Sequence, residues 1–200
     1  TTEDRDGTRA FGGAFSYPGL GQVMETVEPI DYATTNFSAG LSWRGSVNQV
    51  NVRYTGSLFR NDTESLTWEN PGLATFAAFV PEAGRMALAP DNDYHHLKAD
   101  YGRTLGFWRG RLTATASWSR MSQDADLLAP TISSGTLNAA GLVIDLDQWN
   151  TTDALSQATA DATMSQALGQ VQLTLSPTRN LRLAGKLRIL DQDNDTDYLA

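Results

Sequence analysis

The stretch Asn36-Phe37-Ser38-Ala39-Gly40-Leu41-Ser42-Trp43-Arg44 decides the fold. Phe37, Ala39, Leu41 and Trp43 fall on one side of an extended chain, and Asn36, Ser38, Gly40, Ser42 and Arg44 on the other. Successive side chains of a strand point to opposite faces, so this is a strand with one apolar and one polar face. A tight turn at residues 45–48 follows. Then Val50, Val52, Tyr54, Gly56 and Leu58 share one face, with Asn51, Arg53, Thr55 and Ser57 opposite. Two alternating strands joined by a short turn predict an antiparallel hairpin.

The unit recurs along the chain. Leu97, Ala99 and Tyr101 alternate with His96, Lys98, Asp100 and Gly102. A turn around residues 106–110 leads to Leu112, Ala114, Ala116 and Trp118, alternating with Thr113, Thr115, Ser117 and Ser119. The third hairpin sets Ala167, Gly169, Val171, Leu173 and Leu175 against Gln166, Gln170, Gln172 and Thr174. Residues 176–180, with Pro177, read as its turn. Leu181, Leu183, Gly185, Leu187 and Ile189 then alternate with Arg182, Ala184, Lys186 and Arg188. Residues 9–17, with Phe11 and Phe15 among Gly and Ala, are a weaker candidate for one more strand or for part of a loop.

The connections alternate in length. Within hairpins they are short; between hairpins they run over residues 61–90 and 122–162. Loops that long are uncommon in compact soluble domains. Short turns on one side and long loops on the other match an outer-membrane barrel, with periplasmic turns and extracellular loops. Each strand is about 9–12 residues, enough to cross a bilayer at a steep tilt. A soluble β-sandwich or β-helix is the competing reading. Its inner faces would carry large branched residues, whereas here Leu and Val are mixed with Ala and Gly. Trp43, Tyr54, Tyr101 and Trp118 lie near strand ends, where interfacial aromatic girdles sit. The expectation is therefore an all-β fold: an antiparallel transmembrane β-barrel, with residues 1–200 forming part of one barrel domain. Six strands are evident and small barrels need at least eight. Either two weak strands hide in the loops or the native barrel is larger.

Composition agrees with this reading. Hydrophobic residues make up 40% of the 200 residues, and no apolar run approaches the roughly 18 residues of a transmembrane helix. There are no cysteines. That excludes, within this chain, disulfides, thiolate metal sites and haem attachment by C-x-x-C-H. No signal peptide stands at residues 1–7, and residues 197–200 lack a closing aromatic-ended strand. Both ends suggest a piece of a longer exported protein.

The net charge of −8 is unevenly placed. Nearly all carboxylates fall in segments read as loop, from Glu3, Asp4, Asp6, Glu25 and Glu28 at the start to Asp191 and Asp193 near the end; Asp100 is the main exception. The cations Arg53, Lys98, Arg182, Lys186 and Arg188 lie within strands instead. Their strand neighbours form the apolar set, so these cations should face the lumen. A lipid-facing charge would cost roughly 2–4 kcal/mol at the midplane. As a bare pore, such a lining would favour anions. It can also serve as a wet, salt-bridged wall, with Asp100 as one partner.

Asp191, Asp193 and Asp195 form an alternating acidic run with the carboxylate spacing of a Ca²⁺ loop. The EF-hand pattern needs Gly where Thr196 stands, and the preceding element is a strand, so a solvated extracellular loop is the better reading. His95 and His96 must point to opposite faces of one strand and cannot chelate one metal; they fit the membrane boundary. No G-x-S-x-G, H-E-x-x-H or P-loop is present, and one His pair is poor support for a rim-active barrel enzyme. The net negative charge disfavours nucleic acid.

Certain stretches carry a family resemblance. They are Phe15-Ser16-Tyr17-Pro18-Gly19, Val27-Glu28-Pro29-Ile30-Asp31-Tyr32, Tyr54-Thr55-Gly56-Ser57-Leu58-Phe59-Arg60-Asn61-Asp62 and Ser65-Leu66-Thr67-Trp68-Glu69-Asn70-Pro71. Leu88-Ala89-Pro90-Asp91-Asn92, Ser119-Arg120-Met121-Ser122-Gln123-Asp124 and Asp191-Gln192-Asp193-Asn194 continue the series in order. With them the chain resembles the MtrB/PioB family of decahaem-associated outer-membrane barrels. The resemblance implies a large barrel in the outer membrane of a Gram-negative bacterium. It implies that the barrel sheathes a periplasmic multihaem c-type cytochrome and insulates its haem chain from lipid and water, so that electrons cross the membrane. The haem belongs to the partner; the barrel has no cofactor of its own. The inward cations would then meet an acidic cytochrome surface or haem propionates. The alternative is a general diffusion porin with a cation-lined lumen.

Overall fold

The computed structural model describes residues 1–17, 20–69, 82–139 and 141–196. Pro18, Gly19, Asn70, Pro71 and the C-terminal residues 197–200, all invoked above, lie outside the described residues, as do the side chains of 13–24 and 139. The chain forms β1 (Thr2–Tyr17), β2 (Leu20–Arg44), β3 (Asn48–Asn61), β4 (Ser65–Glu69), β5 (Ala83–Ala87), β6 (Asn92–Thr104), β7 (Arg111–Gln123), β8 (Thr136–Ala139), β9 (Leu142–Asp145), β10 (Ala162–Thr178) and β11 (Leu181–Asn194). Seven of these make one antiparallel sheet in the order β1-β2-β3-β6-β7-β10-β11. Each strand neighbours the strand before it in the chain, with the loop elements β4, β5, β8 and β9 set aside. This is the up-and-down meander of a barrel wall.

The register keeps the apolar residues on one face. Trp43 lies opposite Val50, Val50 opposite Tyr101, Tyr101 opposite Ala114, Ala114 opposite Val171 and Val171 opposite Leu187. One slip would send every apolar side chain to the polar side. The apolar band does not follow this row, however. It ends at Trp43 on β2 but runs on to Leu181 on β11, about six residues beyond the row. At its other edge Asp191 bounds the band on β11. The row through Asp191 reaches Ala39 on β2, where the band continues to Ala33. A stagger of about six residues over the steps from β2 to β11, at ~3.3 Å per residue and ~4.8 Å between strands, corresponds to a strand tilt of about 40°. That is the tilt of transmembrane barrel strands.

Burial is reversed relative to a water-soluble fold. Leu41, Trp43, Leu97, Trp118, Val171, Leu187 and Ile189 are all exposed large hydrophobics of the wall. The buried apolar side chains among the described residues, Leu66 and Leu146, sit in the long loops. A sheet whose apolar face is bare in isolation needs lipid against it. The continuous antiparallel ladder meets the other demand of a bilayer, that backbone polar groups be paired within the protein.

Several expectations are corrected. The first strand begins at Leu20 rather than residue 36, and residues 9–17 belong to the full strand β1, so the sheet has seven strands. Beyond Tyr32, which pairs with Asn61, the outer part of β2 pairs with β1 alone, so the β1–β2 hairpin overhangs the rim at the long-loop end. The short strands in the loops pair with each other, β4 with β5 and β8 with β9, and add nothing to the wall. The carboxylates Glu3, Asp4, Asp6, Glu25, Glu28, Asp191 and Asp193 lie in strands, not loops. Alternation with other polar residues hid those strand ends. The third turn is also shorter. β10 continues through Pro177 to Thr178 by a register shift between Leu175 and Thr178, leaving Arg179 and Asn180 as the turn. A bulge tolerates proline because no ladder N–H is required there.

Candidate functional site on the polar face of the wall

The polar face is built by the other half of each alternation. Arg53 on β3 lies opposite Lys98 on β6, next to the row Asn51–Asp100–Thr115–Gln170–Arg188 that crosses β3, β6, β7, β10 and β11. The Lys98 Nζ is 3.1 Å from Asp100 Oδ2. Thr115 Oγ1 donates to Asp100 Oδ1 at 2.7 Å. Asp100 is therefore held from both sides, by a cation two residues along its own strand and by a hydroxyl across the ladder. Lys186 faces Gln172, which faces Thr113. Arg182 follows Leu181 at the start of β11, where the ladder shifts.

The register brings Arg53, Lys98, Asp100 and Arg188 into the middle of one face and sets Lys186 and Arg182 nearer the short-turn end. Two further cations belong to this face: Arg44, opposite Gln49, which the alternation already set on the polar side, and Arg111, opposite Thr104 and Thr174, which sequence reasoning missed. Its signal was present, since it extends an alternation by one residue. From Asn36 to Arg44 on β2 and along β3, β6, β7, β10 and β11, Asp100 is the carboxylate that answers these cations among the described residues of the face. The result is a cation-rich polar surface.

The aromatics divide between faces and ends. Trp43, Tyr54, Tyr101 and Trp118 all stand on the apolar face. Tyr101 and Trp43 lie toward the short turns, where the Tyr101 hydroxyl donates to Asn48 Oδ1 at 2.8 Å. Tyr54 and Trp118 lie in one row toward the long loops, flanking Leu97. This two-level arrangement is that of an aromatic girdle. Phe107 and Trp108, both exposed, add aromatic surface at the second turn, where Trp108 and Arg109 adopt φ of 49° and 45°. His95 joins the apolar face opposite Gly56, and His96 the polar face opposite Thr55, so they cannot share a metal.

The acidic run does not form a cation loop. Asp191 and Asp193 are extended residues of β11, opposite Ala167 and Ser165, and Asp195 follows by bonding its N–H to the Thr163 carbonyl at 2.8 Å. These positions do not wrap around a centre as an EF-hand does.

At the long-loop end two polar clamps were not foreseen. Asn61, 8% exposed, closes the first long loop. Its N–H donates to Asp91 Oδ1 at 2.8 Å, its Nδ2 to the Ala89 carbonyl at 2.8 Å, and its Oδ1 accepts from the Thr63 N–H at 3.0 Å. On the overhanging hairpin Arg9 forms a two-pronged pair with the buried carboxylate of Glu28, at 2.7 and 2.9 Å.

The comparisons with known proteins agree with this geometry. The family model for the outer membrane beta-barrel porin MtrB/PioB matches residues 1–200. The chain is 29% identical over 196 residues to "Outer membrane protein MtrB" of Shewanella baltica (strain OS185), covering 97% of this chain and 24% of that relative. The chain thus spans about a quarter of the length of the curated relative it matches. The family is a porin family rather than an enzyme family, and its place is the outer membrane. A tilted, inside-out meander with short turns, long loops and a girdled apolar face, matched along its whole length by one family, belongs to the MtrB/PioB outer-membrane β-barrels.

Proposed function

We propose that this wall is part of a sheath that encloses a multihaem c-type cytochrome and insulates it from the outer membrane while electrons cross. The observation that carries the reading is the charge of the polar face. Arg53, Lys98, Arg188, Lys186 and Arg182, joined by Arg44 and Arg111, stand in a surface where Asp100 is the answering carboxylate. A face of this sign suits an occupant with exposed carboxylates, whether acidic side chains or haem propionates. The family resemblance supports a cytochrome as that occupant. The barrel's own chemistry is passive: it excludes lipid and positions the partner, and no residue has a catalytic role.

The rival reading is an open porin. The same cations in a water-filled lumen would select anions, and the description of the family as a porin favours it. Purification of the full-length protein from native outer membranes separates the two. A stoichiometric haem absorbance, and a closed channel that opens when the haem protein is removed, are expected of the sheath. A haem-free barrel that conducts anions as isolated overturns it. Reversing Arg53 and Lys98 together to Glu should lower the co-purified haem by about tenfold or more, because charge pairs across an interface each contribute roughly 1.5 kcal/mol or above.

A further inference from the structure

On the apolar face, one pleat beyond the Tyr54–Leu97–Trp118 row, stand His95 and Arg120. They are direct register partners on β6 and β7, so their Cβ atoms are about 5 Å apart. Both project outward at the long-loop edge of the apolar band, where side chains meet lipid headgroups rather than the lumen. Arg120 is exposed and has no ion pair among the described residues. Asp93, diagonal to it, pairs with Arg60 at 2.7 Å, as does Asp91 at 3.6 Å, and Asp193 stands in the same row one strand further on, across Ser165. Ser165 and Ser122 are its other small neighbours, across from Arg120 and from Asp93.

His95 is fixed for a purpose of the same sign. Its Nδ1 is 2.8 Å from the Tyr54 hydroxyl, and the two rings stack 14° from parallel with centroids 6.1 Å apart. In the tautomer in which the phenol donates to Nδ1, the imidazole carries its proton on Nε2, which is then free to donate to a further group. The Arg fork and the imidazole thus stand on neighbouring register positions of adjacent strands, just above an aromatic row. An unpaired Arg at this depth is cheap only because headgroups and water reach it.

We propose that His95 and Arg120 form a site for the phosphate of an outer-leaflet membrane lipid. Arg presents its planar donors to two phosphate oxygens. His95 Nε2–H supplies a further donor, and Trp118 and Leu97 below offer apolar contact to the first acyl carbons. The site is on the outside of the wall, so it is independent of whatever fills the lumen.

The test uses the full-length barrel extracted from native outer membranes, with lipid A as the probe. Native mass spectrometry of the detergent-solubilised protein should show retained lipid A. Replacing both groups (Arg120→Gln with His95→Gln) should lower that retention about tenfold, the equivalent of roughly 1.4 kcal/mol. Arg103→Gln, an outward cation at the opposite edge, should leave retention unchanged. Lipid A stripped of its phosphates should bind the native barrel no better than the double variant binds intact lipid A. Equal retention by native and doubly substituted barrels overturns the proposal, as does equal binding of the dephosphorylated lipid. Heat-modifiable gel mobility of each variant confirms that the barrel has formed before the comparison is made.

Discussion

Leu66, on the short loop strand β4, is 5% exposed, whereas Leu41, on the apolar face of β2, is 74% exposed. The two leucines mark the difference between the loops and the wall. The loops follow the rules of water-soluble folds on a small scale: Leu66 and Leu146 are tucked in, and the polar ends of the segments are capped. Asp145 accepts from the Asp147 N–H at 3.1 Å and from Gln148 Nε2 at 3.2 Å, and Asp147 accepts from the Gly135 N–H. The wall has no such core. Its order rests on the ladder, on register and on a solvent other than water. The same sequence grammar thus yields two kinds of burial, and what decides between them is whether the apolar side chains have protein or lipid to pack against.

Both regions share one device, which makes the contrast sharper. In the wall the Phe37 ring lies over Gly56, its register partner, so a Cβ there would meet the ring at 2.2 Å. In the first long loop the Trp68 ring covers its partner Gly84 in the same way, at 2.5 Å. An aromatic over a cross-strand glycine restores contact that glycine lacks.

The largest effect should come from putting a charge on the lipid face of the wall. Ala116→Arg, at mid-band between Ala99 and Gly169, should destabilise the full-length barrel in lipid vesicles by roughly 2–4 kcal/mol in a denaturant titration. Ser117→Arg, one residue away on the polar face, should cost far less. Equal costs at the two sites would mean that the faces do not differ in solvent. Next, Leu66→Ala should cost about 2–3 kcal/mol, but locally. Hydrogen exchange should quicken in β4 and β5 and stay unchanged in β3 and β6; a change across the wall would tie the loop core to the barrel. Gly56→Ala should be milder, about 1 kcal/mol, because Phe37 is half-exposed and can swing into the lipid. It would be read as altered fluorescence of the nearby Tyr54.

The smallest effect concerns pH. Asp124, just past β7, has its pKa raised, first by its hydrogen bond with Asp161 and then by that group's charge. The folded loop therefore holds the proton more tightly than the unfolded chain. The contact gains as pH falls through the raised value and weakens as pH rises and Asp124 ionises. Limited proteolysis of the second long loop should be slower in mild acid than at neutral pH, and Asp124→Asn should remove the difference.

The wall was legible because period-2 alternation holds along most of each strand whose one face meets lipid, with Met121, Leu168 and Leu190 among the apolar residues on the polar side. Phe37, Leu41 and Trp43 are as readable as any heptad. The cations of the polar face followed from the same parity, Arg44 included, although Arg111 was missed at a strand end, where turn and strand are hard to separate. The outer part of β2 was not legible, because Glu25, Glu28 and Asp31 interrupt its apolar residues outside the membrane. The Pro177 bulge was misread as a turn, since proline signals both. His95 and Arg120 lay in plain view, but their pairing depends on the β6–β7 register, which alternation alone leaves open. The Asn61 clamp joins two of the resemblance segments, residues 54–62 and 88–92, that are distant in sequence and meet only in the folded chain.

Single cysteines placed in turn at Leu97, Lys98, Ala99, Asp100 and Tyr101 of the full-length barrel would test the central claim most directly. A membrane-impermeant maleimide would be applied to native outer membranes with and without the haem protein that the proposed sheath would enclose. The account predicts labelling at 98 and 100 after the haem protein is removed, protection there while it is bound, and no labelling at 97, 99 and 101 in either state. Labelling without alternation would contradict the membrane wall, and labelling at 98 and 100 that ignores the haem protein would contradict the sheath.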